Sequence, residues 1–246
     1  MFSFFEKKTF LVDHLHGLVD IHNHILPGID DGAKTVEESI SLIKGFSEFG
    51  IKSFVFTPHI MHHYYPNTPQ TIKVAYERVK KGLLASGMEE VQIDYAAEHM
   101  IDENFENLLN KNAVLPVRKE YLLIEMSYLQ PSLYFDEAIL QIAKKSFFPI
   151  LAHPERYTYY HKKQNSYGKM KSEGIQFQLN LLSLGGYYGS EIQRISHKLL
   201  KDDLVDFISS DVHNQRQLLA LKETKISKKN LGLLHGIIDN TLMTFY

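Results

Sequence analysis

The chain reads LVDIHNH over residues 18–24, an apolar run that ends in two histidines separated by one residue. Residues two apart on a β-strand point to the same side, so His22 and His24 are predicted to present both imidazoles together at a strand end. Two imidazoles in that position suit a divalent metal. Taken alone, the pair is equally compatible with two partly exposed histidines at the start of a loop.

The same pattern, an apolar run followed by a polar side chain, recurs along the chain. Short runs rich in β-branched or aromatic residues predict seven strands, at residues 18–21, 53–56, 91–95, 121–124, 148–152, 175–179 and 205–209. Six of these seven runs are followed by His, Asp or Glu. Five helices are predicted as well. The first begins at a capping box formed by Thr35 and Glu38 and ends at Gly50, and the others cover residues 69–86, 135–145, 191–200 and 231–243.

A chain of alternating strands and helices either opens into a doubly wound sheet or closes into a barrel. In a parallel barrel, all the carboxyl ends of the strands meet on one face, where active sites are built. Closure therefore collects nearly all the strand-end polar residues at one mouth, and the sequence predicts an α/β fold with a seven-stranded, TIM-like (β/α) barrel. No repeat or linker divides the chain, so residues 1–246 are predicted to form a single domain, with residues 1–17 as an N-terminal extension.

Composition excludes several classes of protein. The chain has 27 Lys and Arg against 29 Asp and Glu, and therefore lacks the basic face that a nucleic-acid binder needs. No stretch approaches the ~18 uninterrupted apolar residues of a membrane span. No apolar segment follows the basic residues near the start, so we expect a cytoplasmic protein without membrane insertion. The absence of cysteine excludes disulfides, thiolate nucleophiles and Cys-ligated zinc.

The candidate metal ligands are side chains that follow the predicted strands: His22, His24, Asp31, His59, Glu98, Glu125, His153, Asp211 and His213. Nine ligands exceed what one ion needs, and with about four to six ligands per ion they imply two or three divalent ions. Imidazole and carboxylate without thiolate favour manganese, iron or zinc over calcium. Singly, each of these residues also has a structural interpretation, such as an Asp-Gly turn at Asp31 and Gly32.

These motifs resemble a known superfamily. The stretch DIHNHILPGIDDGAK at residues 20–34, TPH at 57–59, AE at 97–98, AHPER at 152–156 and SDVHN at 210–214 resemble the PHP (polymerase and histidinol phosphatase) superfamily. Within it, the chain is most similar to the bacterial manganese-dependent protein-tyrosine phosphatases of capsule and exopolysaccharide loci, the CpsB type. The resemblance covers nearly the whole chain from about residue 18. It implies a distorted seven-stranded barrel, the PHP fold, with a trinuclear metal centre.

The resemblance also implies roles for individual residues. One metal would be held by His22, His24, Glu98 and Asp211, a second by Glu98, Glu125 and His153, and a third by Asp31, His59 and His213. Manganese is the implied ion, with iron or zinc as alternatives. Arg156 would bind the substrate phosphate. The family has a second phosphate-binding arginine after its Asp-x-His motif, and Arg216 is the candidate for that role.

The implied activity is hydrolysis of phosphotyrosine by a metal-activated hydroxide. The implied partner is a bacterial tyrosine kinase that regulates capsular or exopolysaccharide synthesis. Two alternatives remain open: a small-molecule phosphatase such as histidinol phosphate phosphatase, and a degenerate metal-binding scaffold without activity. Tyrosines that follow strand ends are candidates to stack on a phosphotyrosine ring, although covering loops and helices is the commoner role for such residues. They are Tyr64, Tyr65, Tyr157, Tyr159, Tyr160, Tyr187 and Tyr188.

Overall fold

A computed structural model describes residues 8–163 and 165–246, in which strands and helices alternate. The strands are β1 (Lys8–Phe10), β2 (Val19–Asp20), β3 (Ser53–Phe56), β4 (His59–Ile60), β5 (Gln92–Tyr95), β6 (Glu98–Met100), β7 (Tyr121–Glu125), β8 (Phe148–Ala152), β9 (Gln176–Asn180), β10 (Phe207–Ser209) and β11 (Lys225–Ser227). The α-helices are α1 (Val36–Ser47), α2 (Pro69–Ala85), α3 (Phe105–Asn110), α4 (Phe135–Lys144), α5 (Asn165–Ser172), α6 (Leu181–Gly185), α7 (Ser190–Lys201), α8 (Gln215–Glu223) and α9 (Lys228–Phe245). Short 3-10 helices cover Leu11–His14, Pro154–Arg156 and Thr158–Tyr160.

Each of the seven predicted apolar runs contains a strand, and the predicted α/β fold with parallel strands is confirmed. Six parallel strands form one sheet in the order β10-β9-β8-β7-β6-β4, and three form another in the order β2-β3-β5. The carboxyl ends of all these strands therefore point the same way within each sheet. The hydrogen-bonded ladders do not join into a single sheet in the described residues.

The two parallel sheets share extended segments. β3 and β4 are successive pieces of one segment that is interrupted at Thr57 and Pro58, where proline offers no N–H to a ladder. The neighbouring segment, β5 followed by β6, stays alongside it, because Ala96 donates its N–H to Phe56 at 2.8 Å and Glu98 donates to Pro58 at 3.1 Å. At the opposite edges, an isolated parallel bridge joins Asn23, just after β2, to Val212, just after β10.

The five predicted helices are present as α1, α2, α4, α7 and α9. The capping box at α1 is half formed: the Thr35 hydroxyl accepts the N–H of Glu38, whereas the Glu38 carboxylate accepts the N–H of Lys34. Sequence analysis missed α3, α5, α6 and α8, which span only five to nine residues and are too short for an apolar period to stand out. In the described residues, no helix combines the length and apolar character that a membrane crossing requires.

The described part of the predicted N-terminal extension is built into the fold. β1 pairs antiparallel with β11, and Leu11 and Leu15 are fully buried. Residues 8–17 therefore contribute to the core, while residues 1–7 of the predicted extension lie outside the described residues.

The core has two parts. A large cluster fills the space between the strands and their helices. A smaller cluster is formed by buried side chains of β2, β3, β7, β8 and β10 together with Phe245 of α9. Phe245 packs against Phe207 and Tyr121 at the amino ends of their strands, with ring centroids 4.8 and 5.2 Å away. Apolar packing thus occupies one end of the strands, and polar residues lie beyond the other end.

Candidate metal centre and phosphate site

Seven of the nine predicted ligands lie at the carboxyl ends of strands or in the loops that follow them. The other two, His59 and Glu98, follow β3 and β5 and are the first residues of the short strands β4 and β6. Seven of the nine are buried, namely His22, His24, His59, Glu98, Glu125, His153 and Asp211. The His213 side chain is 14% exposed and that of Asp31 is 50% exposed. Since each comes from a different part of the sequence, the parallel strand arrangement is what brings them to one place.

The first group is a close meeting of four ligand atoms. His22 Nε2 lies 3.2 Å from Glu98 Oε2 and 3.4 Å from Asp211 Oδ1. His24 Nε2 lies 3.4 Å from each of the same two oxygens and 3.4 Å from His22 Nε2. These four residues are the set that the family resemblance implies for one metal.

Glu98 also contacts a second group, to which both of its oxygens contribute. His153 Nε2 lies 3.1 Å from Glu98 Oε1. His59 Nδ1 lies 3.1 Å from Glu98 Oε2 and 2.8 Å from Glu125 Oε1. The structure therefore brings His59 to Glu98 and Glu125, a contact that the implied grouping of Glu98, Glu125 and His153 does not include.

The remaining ligands form a third group at the edge of the centre. Asp31 Oδ1 lies 3.5 Å from His59 Nε2 and 3.6 Å from His213 Nε2. The ring of His24 stacks on that of His213 with centroids 3.9 Å apart. His59 thus faces two groups, one with each ring nitrogen.

Several of these buried atoms lie 2.8–3.2 Å from an oppositely charged neighbour without forming a hydrogen bond of good geometry. They include His59 Nδ1, Glu98 Oε2 and Glu125 Oε1, which all point into the same space. A buried polar atom without a partner costs about 1–3 kcal/mol, and more when the group is charged. A divalent cation would satisfy all three at once, so the donor set fits such an ion.

The charges in the centre compensate one another. Burial opposes ionisation of Glu98, but His22 and His59 outweigh it and hold the pKa of Glu98 well below its usual range. The pKa of Asp211 is likewise held low against burial, by His22 and His24. Burial and the neighbouring His24 lower the pKa of His213 to about 4, so this imidazole is neutral at pH 7, the form that binds metals.

Two residues outside the predicted ligand set orient the histidines. His24 donates from Nδ1 to the Asp30 carboxylate at 2.8 Å, and His22 donates from Nδ1 to the Gln178 amide oxygen at 2.7 Å. Both contacts leave Nε2 turned toward the centre, the usual arrangement behind metal-binding histidines. The only hint in the sequence was polarity: Asp30 precedes Asp31, and Gln178 is one of two glutamines that alternate with apolar residues at 175–179.

The backbone is left-handed at two of the ligands. His153 has φ +36° and Asp211 has φ +51°, a region that costs a non-glycine residue about 1–3 kcal/mol. Such conformations persist where surrounding contacts enforce them, and they cluster at functional sites.

Arg156 is held rigidly beside this centre. Its Nη1 donates to Asp211 Oδ2 at 2.8 Å, and its guanidinium carbon lies 4.6 and 4.2 Å from the ring centroids of Tyr128 and Tyr188. The hydrogen bond and the contacts with both rings hold the guanidinium in place while leaving its side chain 18% exposed. Arg216, the second predicted phosphate ligand, lies exposed in the first turn of α8 and does not line the cavity.

The centre forms the floor of a cavity of about 1010 Å³. Its walls are the loop after β4, with residues 61–65, and the loop after β7, with residues 127–134. Of the seven predicted tyrosines, Tyr64 and Tyr65 line the cavity. Tyr128, which the sequence pattern did not indicate, also lines the cavity. Its hydroxyl oxygen lies 3.3 Å from His153 Nε2.

Three of the other predicted tyrosines, Tyr157, Tyr159 and Tyr188, support the site from behind. Tyr188 packs on Arg156. Tyr157 is buried and its hydroxyl accepts the N–H of Met126, while the Tyr159 hydroxyl donates to the Ser127 carbonyl. Their alternative interpretation, as packing residues of the loops, fits these contacts better than direct stacking on a substrate.

A further group of potential ligands lies at the surface of the cavity mouth. His62 Nδ1 and His63 Nε2 lie 3.1 and 2.9 Å from Glu103 Oε1. All three side chains are exposed, and the carboxylate already serves both imidazoles as a partner. This group is separate from the buried centre.

Comparisons with known proteins agree with the geometry. The family model for capsular polysaccharide synthesis, CpsB/CapC, matches residues 18–228. The chain is 30% identical over 200 residues to a putative tyrosine-protein phosphatase CapC of Staphylococcus aureus, covering 80% of this chain and 77% of that protein. It is 28% identical over 198 residues to the tyrosine-protein phosphatase YwqE of Bacillus subtilis (strain 168), covering 80% and 78%.

Solved structures of similar proteins include metal-dependent tyrosine phosphatases. The chain matches one of the crystal structures of YwqE from Bacillus subtilis and CpsB from Streptococcus pneumoniae, described as unique metal-dependent tyrosine phosphatases. The TM-score is 0.79 at 26% identity, over 91% of this chain and 92% of that chain. A histidinol phosphate phosphatase from Lactococcus lactis shares the fold at a TM-score of 0.54 and 13% identity, over 92% and 94%.

Asp30 provides a test of the centre that leaves the nine ligands in place. We expect Asp30→Asn to weaken the binding of Mn²⁺ by about tenfold or more, because His24 loses its charged partner. Titration calorimetry against Mn²⁺ measures this change. Asp239→Asn, at an exposed position of α9, is the matched control. Unchanged affinity in a folded Asp30→Asn variant would contradict the role assigned to this carboxylate.

Proposed function

The chain belongs to the CpsB/CapC family of capsular polysaccharide synthesis, and on that premise we propose that it is a metal-dependent protein-tyrosine phosphatase, a phosphoric monoester hydrolase. The observation that carries the proposal is the convergence of nine imidazole and carboxylate side chains, with Arg156 beside them. Seven of the nine line the floor of one cavity, and His22 and His24 lie directly behind, in contact with Glu98 and Asp211. The relatives named as tyrosine-protein phosphatases support the same activity.

We propose two or three divalent ions, manganese in the first place, with iron or zinc compatible with the same donors. His22, His24, Glu98 and Asp211 would hold one ion, Glu98, Glu125 and His153 a second, and Asp31, His59 and His213 a third. The contact of His59 with Glu98 and Glu125 makes His59 a candidate ligand for the second ion as well. When bound, such ions neutralise the charge of a phosphate monoester and lower the pKa of water toward about 7.

The residues of the chain itself would position the substrate. The guanidinium of Arg156 offers paired donors to two phosphate oxygens, and its stacking between Tyr128 and Tyr188 fixes the direction of those donors. Tyr65 stacks on His59, with centroids 5.4 Å apart, at the side of the cavity where the tyrosyl ring of a substrate would lie. A tyrosyl leaving group has a pKa of about 10 and departs more easily than an alkoxide.

We further propose that the two parallel sheets together form the closed, distorted seven-stranded barrel of the PHP fold, in a single domain. Three features support closure: the shared extended segments of β3 with β4 and of β5 with β6, the bridge between Asn23 and Val212, and the small apolar cluster enclosed by β2, β3, β7, β8 and β10.

The proposed substrate is a phosphotyrosine-containing protein. The capsular polysaccharide description of the family supports a bacterial tyrosine kinase of capsular or exopolysaccharide synthesis as that protein, in the cytoplasm.

Turnover of free phosphotyrosine with and without metal tests the activity. We expect the Mn²⁺-loaded protein to release phosphate, and chelation by EDTA followed by desalting to abolish release until Mn²⁺ is restored. His22→Ala removes a buried ligand of the first group and is expected to lose nearly all turnover. His62→Ala in the exposed group is the matched control and retains it. Full activity after chelation, or hydrolysis of histidinol phosphate in preference to phosphotyrosine, would contradict the proposal.

Arg156→Lys tests phosphate binding. Lysine keeps the charge but loses the paired donors and the planar stacking, so we expect kcat/KM for phosphotyrosine to fall about 10- to 100-fold. Inhibition by inorganic phosphate would weaken in parallel. Arg216→Lys, whose side chain lies outside the cavity, is expected to change kcat/KM less than about twofold. Equal losses in the two variants would instead support the second phosphate-binding arginine implied by the sequence resemblance.

A further inference from the structure

The wall of the cavity formed by residues 127–134 presents exposed apolar side chains. Leu129 and Leu133 are each 91% exposed, and Tyr134 is 50% exposed. All three line the same cavity whose floor is the candidate metal centre. Single exposed apolar residues are ordinary, but a cluster of them at the mouth of a cavity marks a binding surface.

The loop is fixed at both ends, which holds these leucines outward. At one end, the Tyr159 hydroxyl donates to the Ser127 carbonyl at 2.9 Å. At the other, the Ser132 hydroxyl donates to the Ile101 carbonyl at 2.8 Å. The exposure of Leu129 and Leu133 is therefore a property of an anchored loop.

The opposite wall is also partly apolar. The chain turns back on itself at residues 61–65, where Met61 and Tyr65 pair in an antiparallel bridge. Tyr64, within the turn, is 77% exposed. Any polypeptide whose phosphotyrosine reaches the buried floor must pass between this turn and the leucines of the facing loop.

The charges at the mouth select against acidic chains. Among the described residues that line the cavity, Arg156 is the only Arg or Lys, and it is paired with Asp211 at the floor. The lining carries Asp102 and Glu103 nearer the mouth. Acidic residues beside a phosphotyrosine would meet like charge there, whereas apolar residues would meet Leu129 and Leu133.

We propose that this rim, Leu129, Leu133, Tyr134 and Tyr64, binds the residues that flank the phosphotyrosine, and that the site takes protein segments with apolar rather than acidic neighbours. The inference rests on the proposed phosphatase function and names the class of substrate for it. Apolar residues beside the phosphotyrosine gain affinity because packing against Leu129 and Leu133 removes their surface from water.

Three phosphotyrosyl peptides that differ only in their flanking residues test the preference. One has Leu and Val on both sides of the phosphotyrosine, one has Ser and Gly, and one has Asp and Glu. We expect kcat/KM to be at least about tenfold higher for the apolar peptide than for the acidic one, mainly through KM. Equal values for the three peptides would overturn the inference.

A double variant, Leu129→Ser with Leu133→Ser, tests the surface directly. We expect it to lose about tenfold in kcat/KM on the apolar peptide and to keep its turnover of free phosphotyrosine. The matched control is Leu140→Ser with Met243→Ser, at positions that are 56% and 82% exposed and outside the cavity lining. An apolar preference that survives in the double variant would overturn the assignment.

Two further outcomes are distinguishable. If the wild-type protein hydrolyses neither free phosphotyrosine nor any of the peptides, the proposed function fails rather than the inference about the rim. If light scattering shows that the double variant turns a dimer into a monomer while the peptide preference is unchanged, the leucines serve self-association and the inference is wrong.

Discussion

A single buried carboxylate, Glu98, organises the polar end of this protein. Its oxygens lie within 3.2 Å of nitrogens on His22, His59 and His153. A charged carboxylate in a fully buried position costs several kcal/mol unless charges and hydrogen bonds compensate it. Here the compensating groups come from different strands, so the carboxylate keeps its charge only if the strands assemble in the observed order. The same assembly leaves His59 Nδ1, Glu98 Oε2 and Glu125 Oε1 close together without a hydrogen bond, so their lone pairs are available to a cation.

The rest of the fold serves this arrangement. At the amino ends of the strands, Phe245 and its apolar neighbours fill the interior, so stability is supplied away from the polar cluster. At the carboxyl ends, short loops deliver the ligands directly from strands, whose positions are more precise than those of long loops. Longer loops, after β4 and β7, form the cavity walls and are free to carry substrate contacts without disturbing the centre.

The sequence was sufficient for seven of the strands, because apolar runs follow local rules, and the polar residues after those runs provided the candidate ligands. Four strands of two or three residues, β1, β4, β6 and β11, were too short to form such a run. Apolar runs fix the strands, and the polar residues after them fix which side chains meet at a shared edge. Contacts that depend on the direction of a side chain could not be predicted from the sequence. The pairing of His59 with Glu125, the orientation of His22 by Gln178, and the stacking of Tyr128 on Arg156 all join residues far apart in sequence. The role of Arg216 rests on the sequence resemblance alone, since this residue lies exposed in the first turn of α8 and outside the cavity lining.

The central claim is that the nine ligands surround two or three cations. Anomalous diffraction at the manganese edge, from crystals grown with Mn²⁺, tests it most directly. The account predicts two or three anomalous peaks about 2.0–2.3 Å from the His22, His24, Glu98, Glu125, His153 and Asp211 ligand atoms and from the Asp31, His59 and His213 group. No peak in the buried centre, or peaks only at the exposed His62, His63 and Glu103 group, would contradict it.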